Sequence, residues 1–102
     1  MVAPKRAEAI HAEGIPFKQV AVGALHTLAL SEFGEVYGWG SNANGQLGLG
    51  EINKVPYHSA QWIKALANET VVKIACGPHS SFALTVTGKV YQWGLIHYGE
   101  DS

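Results

Sequence analysis

Apolar and polar side chains alternate in two stretches of the chain that lie about 54 residues apart. In residues 27–31 the larger apolar side chains take every second position, and residues 81–86 show the same pattern. A period of two is typical of a β-strand whose two faces meet different surroundings. Gly34 and Gly88 end these runs, and glycine can adopt the positive φ that a short hairpin connection needs. The alternation therefore predicts two β-hairpins.

The pattern extends to the neighbouring segments and predicts an all-β chain. A second alternating run follows each turn and places a tyrosine and a tryptophan on one face, and an apolar run precedes each hairpin. The predicted strands cover residues 17–22, 25–31, 35–40, 71–76, 80–86 and 89–94. The side chains expected in the packing within or between sheets are Leu28, Leu30, Tyr37, Trp39, Phe82, Leu84, Tyr91 and Trp93.

The two hairpins are copies of one sequence repeat. An offset of 54 without gaps gives eight identities in the eighteen positions 23–40, where about one is expected by chance. A unit of about 50 residues of strands and turns is the size of one β-propeller blade, and propellers contain typically four to eight blades. We therefore predict a propeller fragment of about two antiparallel blades. The residues that define the repeat are Gly23, Gly34, Tyr37, Trp39 and Gly40, with Gly77, Gly88, Tyr91, Trp93 and Gly94 in the second copy.

The repeat divides the chain into three parts. Residues 1–16 are a partial repeat start, residues 17–55 the first repeat and residues 56–102 the second. Ala7 to Glu13 and Ser59 to Ala67 are rich in helix formers, and each stretch predicts a short helical turn before an apolar strand, the second capped by Ser59. After Gly94 the second copy departs from the first, which is typical of a truncated repeat array.

Charge and composition exclude several classes of function. The net charge is −1 and the one arginine has no cluster of basic neighbours, whereas a nucleic-acid surface needs clustered lysine and arginine. We therefore expect no direct nucleic-acid binding. No apolar run approaches the ~20 residues of a membrane span, and the N-terminus has no secretion signal. We expect an intracellular chain, cytoplasmic or nuclear, without membrane contact.

Individual reactive side chains predict no catalytic, cofactor or metal site. Cys76 lies in an apolar run and is expected to be a small core residue. His26 precedes a buried strand and is expected to bond to the backbone. The other histidines are scattered and lack metal-ligand spacing. The chain is therefore not expected to be an enzyme.

The polar, glycine-rich segment GSNANGQLGLG, residues 40–50, links one hairpin to the next unit. Its spacing fails both nucleotide-binding motifs: Gln46 and Leu47 stand where a phosphate-binding loop needs lysine and serine or threonine, and Ala43 stands where the dinucleotide fingerprint needs glycine. If the chain is part of a protein-binding propeller, this loop is the segment that we expect it to present to a partner. The predicted partner contacts are Ser41, Asn42, Asn44 and Gln46.

The repeat also resembles a known family. Residues 20–50, VAVGALHTLALSEFGEVYGWGSNANGQLGLG, and residues 72–94, with the Tyr-x-Trp-Gly element at Tyr91, are similar to repeats of the regulator of chromosome condensation family. The resemblance covers roughly residues 17–94 and implies a seven-bladed β-propeller. Ser80 stands where the first copy has His26, and the segment after Gly94 lacks the expected pattern.

This resemblance implies several functions. Family members include protein-binding propeller modules attached to ubiquitin ligases and kinases, an exchange factor for a Ran-type small GTPase, and an ultraviolet photoreceptor that depends on crowded tryptophans. Our preferred hypothesis is a protein-interaction or regulatory module that is part of a larger propeller. The alternatives are a fragment of a guanine-nucleotide exchange factor and a defective gene product. Expected partners are proteins, including a small GTPase under the first alternative.

Two units leave apolar blade faces uncovered. Charged residues make up 15% of the chain, against roughly 25% in an ordinary soluble domain. Stacked repeats bury one another's faces, and about three units are usually needed for stability. We therefore expect self-association when this chain is expressed alone.

Overall fold

The computed structural model describes residues 15–95, and these residues form two antiparallel β-sheets. The first sheet has the order β1-β2-β3-β4 and the second has the order β5-β6-β7. A single turn of 3-10 helix, Lys64–Leu66, connects the two sheets. The strands are β1 (Phe17–Val22), β2 (His26–Ser31), β3 (Val36–Asn42), β4 (Asn53–Trp62), β5 (Val71–Cys76), β6 (Ser80–Thr85) and β7 (Val90–Gly94). The all-β prediction is confirmed, and the six predicted strands lie within two residues of their expected bounds.

The second sheet repeats the first in its residue pairing as well as in its sequence. Val20 pairs with Ala29, and 54 residues later Ile74 pairs with Ala83. Even the irregularity at the start of the first strand recurs, between Phe17 and Gln19 and again between residues 71 and 73. The sequence repeat is therefore a repeat of three-dimensional structure, with matching strand registers.

The fourth strand of the first sheet differs from the sequence prediction. Ser59 lies inside β4 and caps no helix, and the helical part of this stretch is reduced to Lys64–Leu66. β4 pairs with β3 through two register shifts and contains Pro56, which lacks the N–H that a central strand must donate. It is an edge strand, where proline is tolerated. Because β4 spans residues 53–62, it crosses the predicted repeat boundary at residue 56. The predicted turn at residues 7–13 lies outside the described residues.

The main core lies between the two sheets. We call the face of each sheet that meets the other sheet its inner face, and the opposite one its outer face. Successive residues of a strand point to opposite faces, so Leu28 and Leu30 share the inner face of the first sheet. β1 and β2 pack against β5. The buried core residues are Leu28, Leu30, Val36, Ile63, Leu66, Val71, Ile74 and Ala83.

The eight predicted packing residues differ in burial. Three are buried: Leu28, Leu30 and Tyr37. Five are half-buried: Trp39, Phe82, Leu84, Tyr91 and Trp93. Phe82 and Leu84 occupy the repeat positions of Leu28 and Leu30, but they point to the outer face of the second sheet, because Ala83 between them points inward. Within the described residues no third sheet covers them.

Truncation of Leu28 tests the core between the sheets. Leu28→Ala should lower the free energy of unfolding by about 2 to 5 kcal/mol, because it removes a fully buried side chain and leaves a cavity. Leu25→Ala makes the same chemical change at an exposed position and should cost less than about 0.5 kcal/mol. Urea unfolding followed by tryptophan fluorescence measures both. Equal losses for the two variants would contradict the assigned core.

Candidate functional site

The β3–β4 loop, residues 43–52, is shaped by two buried side chains at its base. The amide oxygen of Asn42 accepts a hydrogen bond from the Leu47 N–H at 3.0 Å, and the Asn42 side-chain amide donates to the Glu51 carbonyl oxygen at 2.9 Å. The side-chain oxygen of Gln46 accepts from the Asn44 N–H at 2.8 Å. Gly45 and Gly48 have positive φ, which sets the turns. The loop is therefore held in one conformation from inside.

The backbone carbonyl of Gln46 joins this loop to the second sheet. It accepts a hydrogen bond from the Ser81 hydroxyl at 2.6 Å and another from the Trp93 indole Nε1 at 2.9 Å. Both lone pairs of the buried oxygen are thereby used. Gly48 lies against the same indole, and a Cβ at this position would be 2.8 Å from Nε1 of Trp93. Glycine is required there for the loop to approach the tryptophan.

His26 forms the second link between the sheets. Its Nε2 lies 3.1 Å from the Ser80 carbonyl oxygen and 3.0 Å from the Ser81 hydroxyl. A carbonyl only accepts, and the Ser81 proton is already donated to Gln46, so Nε2 carries a proton and donates to both oxygens. Burial lowers the pKa of His26 below 6.5, against an opposing effect of the bond to Ser80. The expectation that His26 bonds to the backbone is confirmed.

The imidazole fits because Gly23 has no side chain. A Cβ on Gly23 would lie 2.3 Å from a ring carbon of His26. Further bonds flank this link: the Gln19 side-chain oxygen accepts from the Ile74 N–H at 3.0 Å, and the Ala24 N–H donates to the Pro78 carbonyl at 3.0 Å. The repeat signature thus builds a polar junction between the sheets.

The predicted contact residues do not lie together on one surface. Asn44 is exposed and Ser41 is half-buried, whereas the side chains of Asn42 and Gln46 are fully buried within the chain. In this structure Asn42 and Gln46 shape the loop and do not reach its surface, so partner contact stays a prediction for Ser41 and Asn44. Sequence reasoning missed Ile52, an exposed apolar side chain on the same loop. The sequence feature that could have indicated it is an isoleucine at the end of a polar, glycine-rich run.

An open groove of about 780 Å³ lies between the β3–β4 loop and β7. Ile52, Ile63 and Leu66 line one part of it, and Tyr91 and Trp93 line the other. Glu51 is the one acidic lining residue among the described part of the chain. The groove is mostly apolar and is bordered by the loop's exposed tip.

Reactive chemistry is not concentrated in this region. Burial raises the pKa of the Cys76 thiol to about 11, which leaves it protonated at neutral pH and consistent with a core position. Over residues 15–95 no group of three or more His, Cys, Asp or Glu side chains is arranged to hold a metal ion. In the same range no helix is long and apolar enough to cross a membrane.

Comparison with known families identifies the repeat. A sequence model described as "Regulator of chromosome condensation (RCC1) repeat" matches residues 34–84, which is half of the chain. A second model with the same description matches residues 17–46. The second match includes β1 and β2, and both matches include the whole of β3.

Three similar proteins illustrate the likeness. The human "Probable E3 ubiquitin-protein ligase HERC4" is 40% identical over 87 residues, which is 85% of this chain but 8% of that protein. The crystal structure of human WBSCR16 superposes with a TM-score of 0.75 at 32% identity, over 85% of this chain and 22% of that one. Prp20p from Saccharomyces cerevisiae gives a TM-score of 0.63 at 35% identity, over 80% and 20%. The chain thus spans less than a quarter of each relative.

Substitution of two glycines separates the loop contact from backbone strain. Gly48→Ala should destabilise the chain more than Gly50→Ala. Both residues have positive φ, but a Cβ on Gly48 meets Trp93, whereas one on Gly50 meets nothing within 4 Å. The Gly50 variant measures the backbone cost alone, about 1 to 2 kcal/mol. Urea midpoints give the difference, and equal midpoints would show that the loop does not pack on Trp93.

Acidification should weaken the junction through His26. The folded-state pKa of His26 lies below its unfolded value of 6.5, so the unfolded chain binds the proton more readily. The contribution of His26 is therefore complete above pH ~6.5 and is lost as the pH falls below it toward the lowered folded pKa. Urea midpoints between pH 7.5 and 5 measure this loss. His26→Gln keeps an N–H donor without titrating in this range and should show a smaller slope; an unchanged slope would exclude His26 as its origin.

Proposed function

The chain belongs to the regulator of chromosome condensation (RCC1) repeat family, and from this premise we propose that it forms two blades of a propeller that binds another protein through its β3–β4 loop. The observation that carries the proposal is the double hydrogen bond to the Gln46 carbonyl, which fixes the loop to the second sheet. A loop ordered before binding loses less conformational entropy when a partner docks. Interaction sites are often loops on a rigid scaffold.

The exposed part of the loop has the composition of a protein-binding surface. Ala43, Asn44 and Glu51 are exposed on it, and Ile52 is exposed beside the apolar groove. An apolar contact with a polar rim is the usual anatomy of a protein interface. The partner that fits carries an apolar side chain for the groove and hydrogen-bonding groups for Asn44.

The relatives support a protein partner. The crystal structure of Prp20p was described together with its binding properties to Gsp1p and histones. HERC4 is named as a probable ubiquitin-protein ligase, and this chain matches a small part of it. We transfer the general property of protein binding, and the identity of the partner is left to experiment. Exchange of guanine nucleotide on a Ran-type small GTPase is the alternative function that the experiment must separate.

Replacement of Asn44 tests the loop as the contact. Proteins captured by the immobilised chain are identified by mass spectrometry, and the affinity of each purified candidate is measured by calorimetry. Asn44→Arg should weaken the affinity for the specific partner at least tenfold, because a long cationic side chain replaces a small amide at the tip of the loop. Asn68→Arg is the matched control, because Asn68 is also an exposed asparagine but lies far from the loop. It is close to Thr70, which packs on the Gly34 turn at the opposite end of β2 and β3.

Equal affinity of both variants would exclude the loop as the binding site. The alternative is tested in parallel by the rate of labelled nucleotide release from a Ran-type GTPase. A binding module leaves the release rate unchanged, whereas an exchange factor accelerates it.

A further inference from the structure

Two apolar core positions differ sharply in burial from their equivalents in the other repeat. Val36 is 1% exposed on the inner face of the first sheet, but its equivalent Val90 is 66% exposed on the outer face of the second. Conversely, Ile74 is 4% exposed on the inner face of the second sheet, while its equivalent Val20 is 56% exposed on the outer face of the first. At these positions each outer face carries the side chains of an inner face, and among the described residues no further sheet covers them.

We propose that a second copy of this chain supplies the cover by docking head to tail. The outer face of the second sheet of one copy packs on the outer face of the first sheet of the next. This contact continues the interface already formed inside each chain, with the two surfaces in the same roles. It is independent of the proposed loop partner, because it uses the sheet faces and leaves the β3–β4 loop free.

The first of the two surfaces reproduces the apolar side of the internal interface. Leu84 repeats Leu30, and Phe82 repeats Leu28 with a larger side chain. Both are half-buried and stand on the outer face of the second sheet beside Val90, which pairs with Leu84. This surface matches the inner face of the first sheet.

The other surface reproduces the inner face of the second sheet. Trp39 and Tyr37 repeat Trp93 and Tyr91, and Thr27 supplies a hydroxyl in place of Ser81. Thr27 pairs with Trp39 as Ser81 pairs with Trp93, so these groups share the outer face of the first sheet. The two outer faces are therefore complementary to each other and not to themselves.

Two polar positions make the contact between copies weaker than the internal one. Ser80 replaces His26 and is too short to span the junction, and Lys73 replaces Gln19 and cannot accept the hydrogen bond that Gln19 accepts. The association is therefore concentration-dependent. A head-to-tail contact between two different faces adds copies in one direction, and it closes into a ring where the rotation between copies brings the last copy onto the first.

Light scattering after size exclusion, over a range of concentrations, measures the assembly. The mass should rise with concentration from the 10.9 kDa of one chain to that of two or more copies. Val90→Glu blocks the outer face of the second sheet, and Val22→Glu blocks the outer face of the first. Both valines are exposed, so the variants should still fold, which circular dichroism checks. Each variant alone should have the mass of one chain, and their equimolar mixture should have the mass of two. Ile52→Glu, in the loop and on neither face, should assemble like the unmodified chain.

The mixture is the decisive sample because each variant keeps the face that the other has lost. The intact first sheet of the Val90→Glu chain can pack on the intact second sheet of the Val22→Glu chain. Three results would overturn the head-to-tail contact. They are a mixture that stays at the mass of one chain, a face variant that still assembles, and an unmodified chain that has the mass of one chain at all concentrations.

Ser80→His tests the register between copies. Gly77 leaves space for the new ring as Gly23 does for His26, and the imidazole reaches the backbone and Thr27 of the next copy. Association should tighten roughly three- to tenfold, and weaker association would exclude this register.

Discussion

The hydrogen bonds to the Gln46 carbonyl are the interaction on which the structure depends. A loop that leaves the first sheet presents one buried oxygen to the second sheet, and Ser81 and Trp93 both donate to it. The same serine hydroxyl accepts from His26, so strand β2, the loop and strands β6 and β7 meet at one point. Because a buried carbonyl without a partner is costly, this point fixes how the two sheets stack.

This arrangement explains why polar residues and glycines accompany the apolar alternation of the first repeat. Apolar alternation is sufficient to form each sheet, but the angle and register between sheets need directional contacts. The bare backbone at Gly23 admits the His26 ring, and that at Gly48 admits the Trp93 indole. The same contacts order the β3–β4 loop, so the feature that joins the blades also shapes the surface proposed to bind a partner.

Much of the fold could be predicted from the sequence because the same pattern of strands and turns occurs twice. The turns at Gly34 and Gly88 and the alternation around Leu28 were sufficient for six strands. β4 was missed, since it is irregular, contains Pro56 and has no copy within the described residues. The site was harder to predict. In the sequence Asn42 and Gln46 resemble surface polar residues. Their burial depends on contacts with Glu51 and between the sheets, and the local sequence pattern does not indicate these contacts.

The exchange rate of the Trp93 indole proton tests the central claim most directly. Nuclear magnetic resonance can follow the indole N–H signals of the folded chain in heavy water, with the exposed Trp62 as an internal reference. If the Gln46 carbonyl holds the sheets together, the Trp93 proton should exchange slower than that of Trp62 by roughly two orders of magnitude, because exchange requires the sheets to separate. Equal exchange rates for the two indoles would contradict the account.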